Sequence, residues 1–460
     1  MVSSSLAGNG ARIATATLLI LGSALVVGLN WPGHLSYDSV IQLLDGRTGR
    51  YHTWHPPFMA WLLGLGDHLI RGPGLFITLQ TSLLFAALAI VVLKRPVIGR
   101  FSPAVVVILL ALPQVLLWQA IVWKDVLFAD CVVAGFTLLW LALGNSGRRR
   151  VLWTAGGFVL LMAAALVRQN GIIALILGGA ALGFGMGREA VGAFSSRLLR
   201  AVAPAAIVLL TGFAAVLAVT WALDQHAVDE GGPEAQIHML QTYDVVGAVA
   251  HDPRIQLTQL SPSLGGLIRS TANTRYTSER NDDLLGNPFD KTTAAAADDI
   301  EGQWIDIIVH HPLPWLRHRL AVFGWLVASP QTVCFAETTG VDGPAPQLKA
   351  LGITPGQTPR DLALERYAGA FHGTPIYSHF FYGALAIALM IVMFRSKINA
   401  DAVFGFMLAA ALLFVLSFLA IGVACDYRYL YALDLTTIVV AFYWALGLGT
   451  GERRWTLSRT

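Results

Sequence analysis

Along most of this chain, apolar runs of bilayer length are separated by short polar joints. About ten such runs stand out, at 14–29, 75–93, 104–123, 126–143, 151–166, 172–186, 201–223, 377–394, 402–421 and 429–448. Roughly 20 apolar residues wound as a helix cross a membrane's hydrocarbon core. A helix also satisfies its own backbone hydrogen bonds there. The pattern therefore predicts an all-α polytopic membrane protein with about ten transmembrane helices. It breaks once, at 224–375, which is polar and carries Gly231-Gly232-Pro233, Asn287-Pro288 and several aspartate clusters. That stretch predicts one large external loop folded against the membrane. The chain divides accordingly into an N-terminal membrane module (1–223), a loop region (224–375) and a C-terminal three-span module (376–460).

Charge sets the orientation. One series of short segments holds Arg12, Lys94, Arg95, Arg100, Arg148, Arg149, Arg150, Arg188, Arg197, Arg200, Arg395, Lys397, Arg453, Arg454 and Arg459. The opposite series holds only Arg47, Arg50, Arg71, Lys124, Arg168 and Arg428. The richer series faces the cytoplasm by the positive-inside rule, and long loops do not enter that count. Both termini are then cytoplasmic. The stretch 314–328 is apolar enough to be an eleventh span, but counting it would put Arg395, Lys397, Arg453 and Arg454 outside. It is read instead as an interfacial helix whose arginines snorkel to water. The first run lacks a small-residue cleavage site after it, so an uncleaved span is expected rather than a signal peptide.

Composition supports this picture. Hydrophobic residues make up 55% of the 460 and charged ones 13%, with a mean hydropathy of +0.61. Soluble proteins average roughly a quarter charged residues. A net charge of +3 is too small to suggest nucleic acid. Three cysteines make no disulfide framework. Cys131 reads as a small packing residue. Cys334 and Cys425 both fall on the outer side, where pairing between them is left open.

Five polar clusters share that outer face. Asp38, in Ser36-Tyr37-Asp38-Ser39, follows the first span. It either caps the short interfacial helix that follows or does chemistry. His55, in Trp54-His55-Pro56-Pro57, precedes a helix expected to begin near Phe58. Lys124-Asp125 stands at a span mouth, where a stranded charge costs roughly 2.5–3.5 kcal/mol and so marks a site candidate. Arg168 lies in the turn Arg168-Gln169-Asn170-Gly171. Arg428, in Asp426-Tyr427-Arg428-Tyr429, presents a planar fork suited to phosphate between tyrosines of an interfacial belt. Glu234, His238, Asp244, His310, His311, His372 and His379 have no metal-ligand spacing and are read as structural. Ionisable residues gather at one end of the spans. Transporters normally place theirs near the midplane, so the pattern favours interfacial chemistry on a lipid-borne substrate.

These features together resemble the GT-C glycosyltransferase superfamily, polytopic enzymes that use sugars carried on polyprenyl phosphate. The resemblance rests on the acid in the first external loop, the His55-Pro56-Pro57 segment and Lys124-Asp125 in the second external loop. It extends more weakly to 312–320 and to Asp426-Tyr427-Arg428-Tyr429. The nearest look is to bacterial members of the protein mannosyltransferase and aminoarabinose transferase type, although this chain has its soluble part inserted before the last three spans. The resemblance implies a GT-C-like fold in a bacterial inner membrane, with the active site facing the periplasm. The implied reaction is inverting transfer of a sugar from a polyprenyl-phosphate donor to a lipid, glycan or protein acceptor. Asp38 would be the general base. Arg428, Lys124, Arg168 and His55 would hold the donor phosphate, and Tyr37, Tyr427 and Tyr429 would support the site. Asp125 would be a second acid, meeting either the acceptor or a divalent metal. No metal or other cofactor is expected, because a sugar monophosphate needs less charge neutralisation than a nucleotide diphosphate. The rivals are a transporter or flippase of a lipid-linked sugar and a non-catalytic assembly scaffold.

Overall fold

A computed structural model of the protein describes residues 2–189, 194–228, 232–284, 286, 289–328, 334, 337–396 and 398–448. Of the residues used for orientation, Lys397, Arg453, Arg454 and Arg459 lie outside the described residues, as do the side chains of Arg197 and Arg200.

The molecule is all-α and polytopic. Its first membrane helix, α1 (Val2–Asn30), is followed by two shorter helices, α2 (Tyr37–Thr48) and α3 (Phe58–Leu69), and then by α4 (Gly74–Lys94). Two glycines let α2 and α3 pack backbone to backbone. A Cβ added at Gly64 would lie 2.2 Å from the Gly46 carbonyl oxygen, so neither position has room for a side chain. Arg47 closes the same pair through a forked contact with buried Asp67, 2.8 and 2.7 Å long.

The run at 104–123 is not one straight span. It forms α5 (Ser102–Leu110), α6 (Pro113–Leu116) and a 3₁₀ turn to Ala120, with a bend of 73° between the halves. Pro113 lacks an N–H and disfavours helix at the residue before it, which breaks the ladder there. Next come α7 (Lys124–Leu143), α8 (Gly147–Val167), α9 (Ile172–Glu189) and α10 (Phe194–Asp224). The apolar window of α7 is 94% buried. It is the central post, packed by α4, α8 and α9 and by two C-terminal helices, α19 (Asp401–Ile421) and α20 (Tyr431–Ala445).

The region between α10 and the C-terminal helices, read as external from the sequence, contains α11 (Gly232–His251), α12 (Pro262–Thr274), α13 (Phe289–Ala294), α14 (Ala297–His310), α15 (Pro312–Ala328), α16 (Ala345–Leu351) and α17 (Pro359–Gly369). It has a small core of its own around Tyr243, Val246, Ile268 and Ile300. The C-terminal helices are α18 (His379–Arg395), α19 (Asp401–Ile421) and α20 (Tyr431–Ala445).

Helices occupy all ten predicted positions. By length and composition seven of the described helices can cross a membrane, or eight if the bent pair is one span. The other two, α18 and α20, have 17 and 15 residues. At 1.5 Å per residue both fall short of a ~30 Å core.

One expectation is corrected in α15. Arg319 does not snorkel. It is 1% exposed, pairs with the buried carboxylate of Asp244 and donates to the Gly422 carbonyl at 2.8 Å. Asp244 also receives His318 at 3.1 Å and the indole N–H groups of Trp304 and Trp315 at 2.7 and 2.9 Å. A buried charge persists when it is paired and hydrogen-bonded, and four donors meet that need here. The cluster ties α11, α14 and α15 to the loop after α19.

Candidate active site

Short backbone bridges place the external loops. His34 N–H donates to Ala120 O and Val122 N–H to His34 O, each at 3.0 Å. This joins the segment before α2 to the segment before α7. On the other side Leu35 N–H donates to Gly340 O at 2.9 Å and Asp342 N–H to Leu35 O at 2.8 Å. A third tie runs from Asn281 N–H to Val423 O at 2.9 Å. The disulfide between Cys334 and Cys425 settles the pairing left open by the sequence. It fixes the chain immediately before Asp426.

These ties converge on Asp38. The N-cap of α2 is Ser36, whose N–H donates to Ser39 Oγ at 3.2 Å. Asp38 is therefore not the cap, and its carboxylate turns to other partners. Arg428 Nη1 donates to Asp38 Oδ2 at 2.8 Å. His55 Nε2 faces Asp38 Oδ1 at 3.6 Å. Behind His55, Lys124 Nζ lies 2.9 Å from Nδ1. When Lys124 is protonated it only donates; Nδ1 is then the acceptor and the ring proton sits on Nε2, aimed at Asp38. This contact fixes the tautomer of a neutral imidazole.

The electrostatics agree with that assignment. Burial alone would raise the Asp38 pKa, but contact with His55 and the charge of Arg428 hold the carboxyl well below its usual range. Burial lowers His55 to about 4, helped by the charge of Lys124. Arg168 is lowered by burial to about 10 and stays protonated at neutral pH.

Arg428 is held from several directions. Its guanidinium lies over Trp123 at 5.2 Å and Tyr429 at 5.5 Å. Asp426 approaches its Nε at 3.4 Å, and Arg280 reaches Asp426 at 3.4 Å. Sequence reasoning quoted Asp426 only as a neighbour and missed Arg280. A carboxylate two residues before the key arginine was the available signal for Asp426; Arg280 had none.

Asp38, His55, Lys124, Arg168, Arg428 and Tyr429 all line one cavity of about 860 Å³. Its far wall comes from α11 and α13, including Gln236, Thr242 and Asp290. Asp125 is placed differently. It is 2% exposed, pairs with Arg168 and is not among the residues lining this cavity. It neutralises Arg168 from behind and does not meet the cavity with Asp38. Tyr37 is 58% exposed on the opposite side of Asp38. Tyr427 is buried, stacked on His379 with ring centroids 4.2 Å apart, and bonded to Asp434. Its hydroxyl also receives Gln114 at 2.9 Å.

The expectation that ionisable groups stay at the mouth needs correction. Asp434, on α20, is held by His379 at 2.9 Å as well as by Tyr427. Asp130, on α7, accepts from Gln119 at 2.9 Å, and Gln119 also donates to Tyr431 at 3.0 Å. Asp130 lies six residues into its helix, or about 9 Å along the axis. Polar groups thus reach into the bundle beneath the site. Both acids have protein partners there.

No family model matches the chain, and neither does any curated protein. Among solved structures it is similar to an archaeal oligosaccharyltransferase, AglB from Archaeoglobus fulgidus, in complex with an inhibitory peptide and a dolichol-phosphate. Identity is 13%, the TM-score is 0.40, and the match covers 93% of this chain and 50% of that one. This chain spans about half the length of that structure. A likeness of this degree carries no functional inference.

Proposed function

We propose that the protein is an inverting glycosyltransferase that takes a sugar from a polyprenyl-phosphate donor at the external face of a cytoplasmic membrane. The observation that carries this reading is one cavity in which the Asp38 carboxylate stands with three cationic side chains, Lys124, Arg168 and Arg428; Asp282, Asp290 and Asp426 line it as well. Among the described residues Lys124 has no carboxylate in ion-pair contact; its close partner is neutral His55. Its charge is therefore available to an anion. Tyr429 and Phe418 on the same wall give a lipid phosphate an apolar neighbour.

The chemistry follows from the charges. A sugar phosphate leaves as an anion and needs no proton, so one base suffices. Asp38 Oδ2 is held by Arg428, whereas Oδ1 meets only His55 at 3.6 Å. Oδ1 is the oxygen that would accept an acceptor hydroxyl's proton as that oxygen attacks the anomeric carbon and the phosphate departs. Arg428 spans the site: it orients the base in the free enzyme and stabilises charge growing on the leaving phosphate. The lowered pKa makes Asp38 a weak base, so the proton would move to it late, after most of the bond to phosphate has broken. The Cys334–Cys425 disulfide supports the external orientation, since such bonds persist in oxidising compartments. Asp125, paired with Arg168, would tune that cation; a metal-binding role with Asp38 has no support in the geometry.

Binding of a short-chain polyprenyl phosphate to purified protein tests the donor assignment. Lys124→Ala should weaken it about tenfold, the order of one lost charge-assisted contact. Unchanged affinity would sink the assignment. Asp130 and Asp434 are the observation a transport reading would use. Flipping of labelled lipid in proteoliposomes, abolished by Asp434→Asn while Asp38→Asn is silent, would favour it.

A further inference from the structure

The Asp38–Arg428 pair is a partition between two cavities. One is the large cavity described above. The second, of about 220 Å³, lies on the other side and is lined by Ser36, Tyr37, Trp123, Asp342 and Asp426 as well as by the pair itself. From the glycosyltransferase reading and this second cavity, we infer that the second cavity is the acceptor site and that its occupant is the hydroxyl-bearing ring of a sugar.

The linings differ in kind. Lys124 and Arg168 belong only to the large cavity, with Asp282 and Asp290, and Asp342 only to the small one. Cations that can meet a phosphate, beyond the shared Arg428, thus stand only on the large side. The small side offers the exposed ring of Tyr37, the hydroxyl of Thr338 and the Asp342 carboxylate, while Trp123 backs it from beneath the Arg428 guanidinium. Among the described residues the Tyr37 hydroxyl and the Asp342 carboxylate enter no hydrogen bond or ion pair. They are free to receive a ligand. Aromatic side chains present an apolar face with a polar tip. Carboxylates accept up to about four hydrogen bonds. A pyranose, with C–H faces and a rim of hydroxyls, matches both.

Size narrows the choice. At about 30 Å³ per water, 220 Å³ holds roughly seven waters, which is room for one monosaccharide unit but not for a lipid tail. A sugar hydroxyl placed against Tyr37 and Trp123 can reach Asp38 without crossing the donor cavity.

The test uses saturation-transfer NMR on the full-length protein in nanodiscs, with methyl glucoside, methyl mannoside and methyl galactoside as probes and N-acetylserine amide as the peptide-like control. At least one glycoside should bind. Tyr37→Ala and Asp342→Asn should each weaken it about tenfold, and Lys124→Ala should leave it unchanged. Absence of glycoside binding, or binding indifferent to Tyr37→Ala and Asp342→Asn, overturns the inference. So does N-acetylserine amide binding that depends on the same two residues. The donor reading is scored separately by polyprenyl phosphate. Its binding should fall in Lys124→Ala and hold in Asp342→Asn, so loss of one claim leaves the other standing. Thermal unfolding of each variant identifies a folding defect, and the conservative Tyr37→Phe, which keeps the ring, should restore most binding.

Discussion

Asp38 has partners on both oxygens, and its protonation follows from them. Arg428 at 2.8 Å and the His55 N–H at 3.6 Å both favour the carboxylate. A group whose pKa is lowered is in its basic form at every pH above that value. Asp38 therefore imposes no acid limb on turnover in the neutral range, and His55, lowered to about 4, stays neutral there as well. Neither Asp38 nor His55 should therefore make transfer fall between roughly pH 7.5 and pH 5.5, the window around the ordinary histidine value of ~6.5. A pH–rate profile falling with an apparent pKa near ~6.5 would mean that His55 titrates normally, and it would contradict the Lys124–His55–Asp38 relay. Much of this site was legible in the sequence. Asp38, His55, Lys124, Arg168 and Arg428 each stand at a span mouth on one side, and alternation of spans brings such residues to one surface. Their individual partners were not legible. Asp125 adjoins Lys124 in sequence yet turns to Arg168, because consecutive residues on a helix point in different directions.

At the level of elements, the site depends on two clasps from the external region. The Cys334–Cys425 disulfide anchors the segment that carries Asp426 and Arg428. Cys425→Ser should cost about 2–4 kcal/mol of stability, lower the affinity for polyprenyl phosphate and leave helix content by circular dichroism unchanged. Unaltered affinity would mean that Arg428 holds its position without the clasp. The second clasp is Asp244. Asp244→Ala leaves Arg319 and His318 buried without their partner, at a cost of about 3–5 kcal/mol. Proteolysis should then open the region around α11 and α15 while the membrane helices remain protected. Equal resistance of wild type and variant would count against this clasp. This clasp was hidden from sequence analysis because Asp244 and Arg319 are distant in the chain. Arginines on an apolar helix near a membrane read most simply as snorkelling. The bend at Pro113 did carry a local signal, the proline itself, which the apolar run obscured.

On the scale of the whole molecule, helices stand at all ten predicted positions, and the external region closes over one end of the bundle. Hydropathy and charge bias carry that information because the bilayer constrains length and orientation strongly. They carry little about partners: Asp130 and Asp434 lie inside the predicted runs 126–143 and 429–448, but the polar groups that hold them there were not legible. Two cavities meet at Asp38, a larger one that includes Lys124 and Arg168 and a smaller one that includes Tyr37 and Asp342. The most direct test of the central claim follows a radiolabelled sugar from a panel of polyprenyl-phosphate donors in membranes containing wild-type protein or Asp38→Asn, with donor binding measured in parallel. The account predicts label transfer by wild type from at least one donor, loss of transfer in Asp38→Asn by about a hundredfold or more, as for removal of a general base, and retained donor binding. Transfer by Asp38→Asn at the wild-type rate would contradict it.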